Sequence, residues 1–219
     1  MSNPESPSGD FQTYFHQRAR RFSSFYASEP VARALGRGPM FDRLNRAVDM
    51  CVAASAGHVL DVGCGSGPLF APLASKGIRV TGVEPADNMV ALATTEASAF
   101  PGLVTVEQRG WEDIDEVDAY DVAVALGVFD YVSEPADLLG RMGRAATQVV
   151  GSFPSPGLRT DLRKVRYGRR GVAVHPYPVD GYDELARRAD MVVLEKVPLG
   201  KAGFVVRFGR QGTGAGVEG

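Results

Sequence analysis

Apolar positions in this chain follow two different periods. Phe41, Leu44, Val48 and Val52 recur at helical spacing. The whole stretch from Phe11 to Ser55 shares that helical character, broken at "GRGP", residues 36–39. From residue 58 onward, short apolar runs alternate with amphipathic segments. "HVLDVG" predicts a strand, and "PLFAPLASK" a helix started by Pro68. "IRVTGVE" predicts a strand, and "ADNMVALATTEA" a helix begun by an Asp or Asn cap. "LVTVEQ" and "DVAVALG" are further strands, the second too apolar for a sheet buried on one face only. "EPADLLGRMGRA" predicts a helix and "QVVGSF" a strand. Near-continuous apolar strands alternating with helices require a mostly parallel sheet covered on both faces.

The remainder departs from strict alternation. "LRTDLRKVRYGRR", 158–170, is a basic and helical insertion, followed by "VAVHPYPV" and a helix around Tyr182 to Ala189. "MVVLEKV" and "GFVVRFG" then stand only a few residues apart, which predicts a C-terminal antiparallel hairpin. The expected fold class is therefore α/β, with a Rossmann-like sheet, mostly parallel, and helices on both faces. The expected boundaries are a disordered end over 1–10, a helical segment over 11–54 and a core over 55–210. The core carries the basic insertion at about 156–178, and a disordered tail covers 211–219.

Composition narrows the function classes. Lys and Arg number 24 against 26 acidic residues, so a broad electrostatic footprint for nucleic acid is not expected. No apolar run approaches the ~18 residues of a membrane span, and "MSNPESPSGD" lacks a secretory pattern. Cys51 and Cys64 are the two cysteines, and Cys64 lies inside a glycine-rich loop, a poor place for a bridge. Both are expected to be reduced thiols in a cytoplasmic protein, monomer or homodimer.

That loop carries the chemistry. In "VLDVGCGSG", Gly63, Gly65 and Gly67 lie between a strand and a helix. Glycine permits positive φ and lets a ligand approach the main chain, and the following helix offers unpaired N–H groups. Glu84, at the end of the second strand, stands where a Rossmann-type ribose acid is expected. A carboxylate there accepts bonds from both ribose hydroxyls, so the ligand is expected to contain an adenosine. Two cofactor classes compete at this point. A dinucleotide site would carry G-x-G-x-x-G, whereas Pro68 follows a G-x-G-x-G here.

"VLDVGCGSG", "VTGVEPADNMV" and "YDVAVALGVFDYV", in that order, resemble class I S-adenosylmethionine (SAM) dependent methyltransferases. The resemblance covers roughly residues 55–155, and more weakly "YFHQRARRFSSFY" and "VAVHPYP". The whole layout is similar to small-molecule methyltransferases, including those of the magnesium-porphyrin type. The resemblance implies SAM as cofactor, with Asp61 holding the methionine ammonium and Gly63 and Gly65 letting the ligand lie on the backbone. It implies Glu84 on the ribose diol, Pro85 and Met89 on the adenine, and Trp111 and Glu112 at its other edge. Leu126 and Gly127 would face the methionine. Gly110 departs from the pattern, since an aspartate that bonds the adenine amine is common there; Trp111 has an equal reading as ordinary core.

Methyl transfer from a sulfonium is a direct displacement in which the protein mainly aligns the reactants at ~3–3.5 Å. A base matters only where the nucleophile arrives protonated. No catalytic triad and no metal-ligand cluster stands out. Acceptor-side candidates are Asp130 and Tyr131 in "GVFDY" and His175 and Tyr177 in "VAVHPYPV". The plainer reading of Asp130 is a local cap or salt bridge, and that of His175 a satisfied structural histidine. Tyr14 and Tyr26 are candidates for a lid over the cofactor, and His16 for a base on it, with aromatic core as the competing reading of the tyrosines. His58 is expected to be exposed at the far end of the first strand. Arg159, Arg163, Arg166 and Arg170 fall near one helical face, either a receiver of an acidic group or a solvated face. The leading expectation is methyl transfer to O or N of a small molecule. Three alternatives stand beside it: intramolecular cyclisation releasing methylthioadenosine, an NAD-dependent oxidoreductase, and a non-catalytic SAM-binding protein.

Overall fold

A computed structural model describes residues 38–157, 161, 173–178 and 180–211. Seven strands form one sheet in the order β3-β2-β1-β4-β5-β7-β6. They are β1 (His58–Val62), β2 (Arg79–Val83), β3 (Val104–Glu107), β4 (Tyr120–Ala125), β5 (Ala146–Pro154), β6 (Met191–Pro198) and β7 (Gly203–Arg210). The first five are parallel, and β7 inserts antiparallel between β5 and β6. The predicted parallel sheet with a closing hairpin is thus present. β4 lies centrally, and Val122, Ala123, Val124 and Ala125 are fully buried, which accounts for its unbroken apolar run.

Helices cover both faces. α1 (Gly38–Ala53), α2 (Phe70–Ala74) and α3 (Asp87–Ala97) pack on one, through Leu44, Cys51, Phe70, Leu73 and Ala93. α4 (Pro135–Ala145) and α5 (Gly181–Arg188) cover the other, through Leu138, Leu139, Met142, Tyr182 and Leu185. Val52 is not part of the α1 stripe: it is 47% exposed, while Cys51 is fully buried. One residue is about 100° of helix rotation, enough to carry Val52 off the inward face.

Three local expectations change. α2 is shorter than "PLFAPLASK", because Pro72 brings no N–H and Gly77, at φ +74°, turns the chain out of the helix. α3 has no Asp or Asn cap: Ala86 occupies the cap position, and Asp87 is already in the first turn. His58 is not exposed ahead of β1. It is the first residue of that strand, half-buried, with Nε2 3.0 Å from Thr81 Oγ1 and its ring 4.7 Å from that of Tyr120. Of the basic segment 158–170 only Asp161 is described. No helix among the described residues is long and apolar enough to cross a membrane.

Candidate functional site

The parallel order reverses between β1 and β4, so the carboxyl ends of β1, β2 and β4 open around one crevice, the usual ligand position in such sheets. The loop after β1 is held there by Gly63 and Cys64, whose N–H groups donate to the Val83 carbonyl at 2.9 and 3.1 Å. Gly63, Gly65 and Gly67 all have positive φ, at +66°, +56° and +83°. Their surroundings separate their roles. A Cβ on Gly63 would stand 2.6 Å from Val128 Cγ2, and one on Gly67 2.4 Å from the Phe70 ring. A Cβ on Gly65 would meet nothing within 4 Å. Gly63 and Gly67 therefore serve internal packing, and Gly65 faces open space where a ligand can lie on the main chain.

Two buried carboxylates flank this loop. Glu84 accepts the Gly65 N–H on Oε2 and the Ala86 N–H on Oε1, each at 3.0 Å. It thus ties the glycine loop to the start of α3, and each oxygen keeps lone-pair capacity for a ligand hydroxyl. Burial raises the Glu84 carboxyl, and the two backbone bonds pull it back down. Asp61 is 2% exposed, and its Oδ2 has no hydrogen-bond partner. Burial first, and the Glu84 charge second, push the Asp61 carboxyl up to about 8. An unpaired buried carboxylate oxygen is costly unless a cation or donor completes it.

A cationic side chain lies beside the exit of β4. Arg43, on α1, reaches Gly127 at the exit of β4: a Cβ on Gly127 would lie 2.9 Å from Arg43 Nη1. Arg43 Nε is buried without a partner. Gly127 has φ +80° and donates its N–H to Ser152 Oγ at 2.9 Å. Leu126 and Gly127 are half-buried, just past the end of β4. Arg43 was missed by sequence reasoning, since one arginine beside an apolar helical stripe has no distinguishing pattern.

At the opposite end, Pro85 is half-buried and Met89 is buried against Ala86 and Leu92. Trp111 is half-buried and packs on the core, and Glu112 is exposed. The Gly110 N–H is taken by Asp113 Oδ2 at 3.2 Å, and the Glu112 carboxylate stands over the space a Gly110 side chain would fill. Asn88 Oδ1, one position before Met89 in the chain, is buried and unpartnered.

On the remaining side, the chain brings "FDY" and "HPY" together. The His175 N–H donates to the Asp130 carbonyl at 2.8 Å, and the Tyr177 N–H to the Pro154 carbonyl at 2.9 Å. The Tyr177 hydroxyl donates to the Phe129 carbonyl at 3.0 Å, and its ring stands 5.0 Å from that of Phe153, edge to face. Burial and the Asp130 charge both raise the Tyr177 phenol. Asp130 is 4% exposed, while Tyr131 and His175 are half-buried. Tyr177 therefore braces the loop with its hydroxyl. Tyr14, His16 and Tyr26 lie outside the described residues. Among the described residues no cluster of three His, Cys, Asp or Glu side chains could hold a metal ion.

Comparisons with known proteins agree with this architecture. A family model described as a methyltransferase domain matches residues 16–196. A ubiquinone biosynthesis O-methyltransferase of Azorhizobium caulinodans is 35% identical over 87 residues, covering 39% of this chain and 34% of that protein. One from Paramagnetospirillum magneticum is 29% identical over 120 residues, covering 55% and 48%. The match to Azorhizobium thus spans about a third of that relative's own length. Among solved structures, magnesium protoporphyrin IX methyltransferase of Synechocystis PCC 6803 with bound S-adenosylhomocysteine (SAH) aligns with TM-score 0.77 and 18% identity. It covers 94% of this chain and 100% of that one. The 1,6-didemethyltoxoflavin-N1-methyltransferase of Burkholderia thailandensis aligns with TM-score 0.72 and 16% identity, covering 96% and 92%.

Proposed function

The chain belongs to the methyltransferase-domain family, and from that premise we propose that it transfers a methyl group from SAM to O or N of a small-molecule acceptor. The observation that carries this reading is a pair of unsatisfied buried polar atoms, one on the strand that leads into the glycine loop and one on the side chain that lies beside Gly127. Asp61 Oδ2 lacks a donor, and Arg43 Nε lacks an acceptor. An amino-acid end supplies both: an ammonium for Asp61 and a carboxylate for Arg43. Gly65 offers a bare backbone beside them. Glu84, fixed by two backbone N–H bonds, has remaining lone pairs for ribose hydroxyls. Pro85, Met89, Trp111, Glu112 and Asn88 border the adenine end.

When bound, the cofactor supplies a methyl group already activated by positive sulfur. The protein's share is placement. Asp61, Arg43 and the Leu126–Gly127 backbone anchor the methionine end, while Glu84 sets the distance to the adenosine. Asp130, Tyr131 and His175 border the acceptor. An acceptor O–H or N–H gains the methyl carbon and loses its proton, and Asp130 and His175 are the titratable groups placed to take it. Tyr177 acts on the acceptor side by holding the loop that carries Asp130.

Calorimetry with SAH and with NAD tests the cofactor. SAH is expected to bind and NAD to give no heat; the reverse would overturn the reading. Incubation with SAM and a metabolite extract of the source cell then tests the chemistry. SAH together with a mass gain of one methyl group supports transfer, and methylthioadenosine as the product contradicts it.

A further inference from the structure

β5 carries two small residues at its carboxyl end, in "VVGSF". Gly151 and Ser152 point to opposite faces, as successive strand residues must. On one face, a Cβ on Gly151 would stand 2.9 Å from the Phe129 ring, so its absence lets that ring close over the strand. On the other face, Ser152 is 3% exposed in a strand otherwise lined by Val149, Val150 and Phe153. A buried hydroxyl in such a position is costly unless it is used. It is used on the neighbouring loop, where Oγ accepts the Gly127 N–H at 2.9 Å. That bond fixes the residue whose φ of +80° and missing side chain leave room for the Arg43 guanidinium. Arg43 and Ser152 both act on Gly127: one occupies the space over it, and the other holds its N–H.

We propose that Ser152 is a positioning residue of the cofactor pocket, holding Gly127 so that Arg43 faces the carboxylate of the bound ligand. The inference rests on the cofactor reading above and adds to it a residue that touches neither cofactor nor acceptor. Its signature is selectivity by ligand group. Ser152→Ala frees the Gly127 N–H and loosens the turn beneath Arg43, so binding weakens for ligands that carry the carboxylate. Ligands without it are unaffected, because the glycine loop and Glu84 are untouched.

The experiment compares SAH with methylthioadenosine, which has the same adenosine and sulfur but no amino-acid end. Calorimetry is run on wild type, Ser152→Ala, Arg43→Ala and the double variant. One lost hydrogen bond corresponds to about 2–10-fold in affinity. Ser152→Ala is expected to weaken SAH by that factor and to leave methylthioadenosine unchanged. In the Arg43→Ala background the Ser152 substitution should have no further effect, since the group it positions is gone. Equal weakening of both ligands, an unchanged SAH affinity, or full additivity in the double variant would each overturn the proposal. If Ser152→Ala fails to fold, Ser152→Thr takes its place. That variant keeps the hydroxyl and should retain the wild-type ratio of SAH to methylthioadenosine affinity; a ratio that falls to the Arg43→Ala value would overturn the proposal. Wild-type protein that binds neither ligand would overturn the cofactor reading itself. Wild type that binds SAH as tightly as Ser152→Ala does would overturn only the role of Ser152.

Discussion

The two regions proposed to hold the cofactor and the acceptor are built on different terms. On one side two buried polar atoms lack partners: Asp61 Oδ2, at the strand leading into the glycine loop, and Arg43 Nε, on the side chain beside Gly127. Around the late segment the Tyr177 hydroxyl and the His175 main-chain N–H are committed to the carbonyls of residues 129 and 130, and of the nearby groups the Tyr182 hydroxyl is buried without a partner. Unsatisfied buried groups store a cost that a ligand relieves, whereas satisfied ones fix geometry. The region proposed for the cofactor is therefore read as built to bind, and the Tyr177 hydroxyl as a brace in the region proposed for the acceptor. Substitutions should separate the two regions by which quantity they move.

The largest effect is expected within the glycine loop itself. Gly67→Ala forces a side chain into the Phe70 ring at positive φ and should lower stability by about 2–5 kcal/mol, read from urea unfolding. Gly65→Ala meets no atom and should cost only the backbone strain of about 1–2 kcal/mol, yet abolish SAH binding by filling the cradle. Equal stability losses with SAH binding retained in Gly65→Ala would erase the division of labour between the two glycines.

Asp61→Asn comes next. Losing a charged partner for the ligand ammonium should weaken SAH binding by about 10–150-fold. Stability without ligand should move the other way. The folded carboxyl at about 8 lies above its unfolded value of 3.8, so wild type loses stability as pH rises from about 4 to about 8. The asparagine variant lacks that loss. Urea titrations at pH 4 and pH 8 should show it gaining on wild type, and a gap that narrows instead would contradict a protonated Asp61.

The same carboxyl makes binding pH-dependent. An ammonium favours ionised Asp61, so below about 8 binding must expel its proton. SAH affinity should rise with pH toward that value, by at most about tenfold per unit. Methylthioadenosine, lacking the ammonium, should show no such slope, and a matching slope for both ligands would place the titration elsewhere.

The smallest effect belongs to the region proposed for the acceptor. Tyr177→Phe removes one hydrogen bond to the Phe129 carbonyl and should cost about 1 kcal/mol of stability. SAH affinity should not change, while turnover falls once an acceptor is found. A loss of SAH affinity comparable to that of Asp61→Asn would show that the two regions are not separable.

The sequence by itself determined the mostly parallel character of the sheet and its closing hairpin, and it located the glycine loop and Glu84 at strand ends. Gly63, Gly65 and Glu84 sit where strands end, and a strand end in a parallel sheet is a position that sequence period alone locates. Asp61 was legible only through the resemblance of "VLDVGCGSG" to a family motif. What only the tertiary structure decided was which distant groups meet there. Arg43 comes from a helix before β1, and Ser152 from a strand after β4, and neither has a local pattern that points to Gly127. Tyr177 looked like chemistry in sequence, and the fold turned its hydroxyl onto a carbonyl 48 residues away in the chain. Periodicity reports which face of an element is buried; it carries no record of what that face will be buried against, because that is set by the packing of layers and not by any one segment.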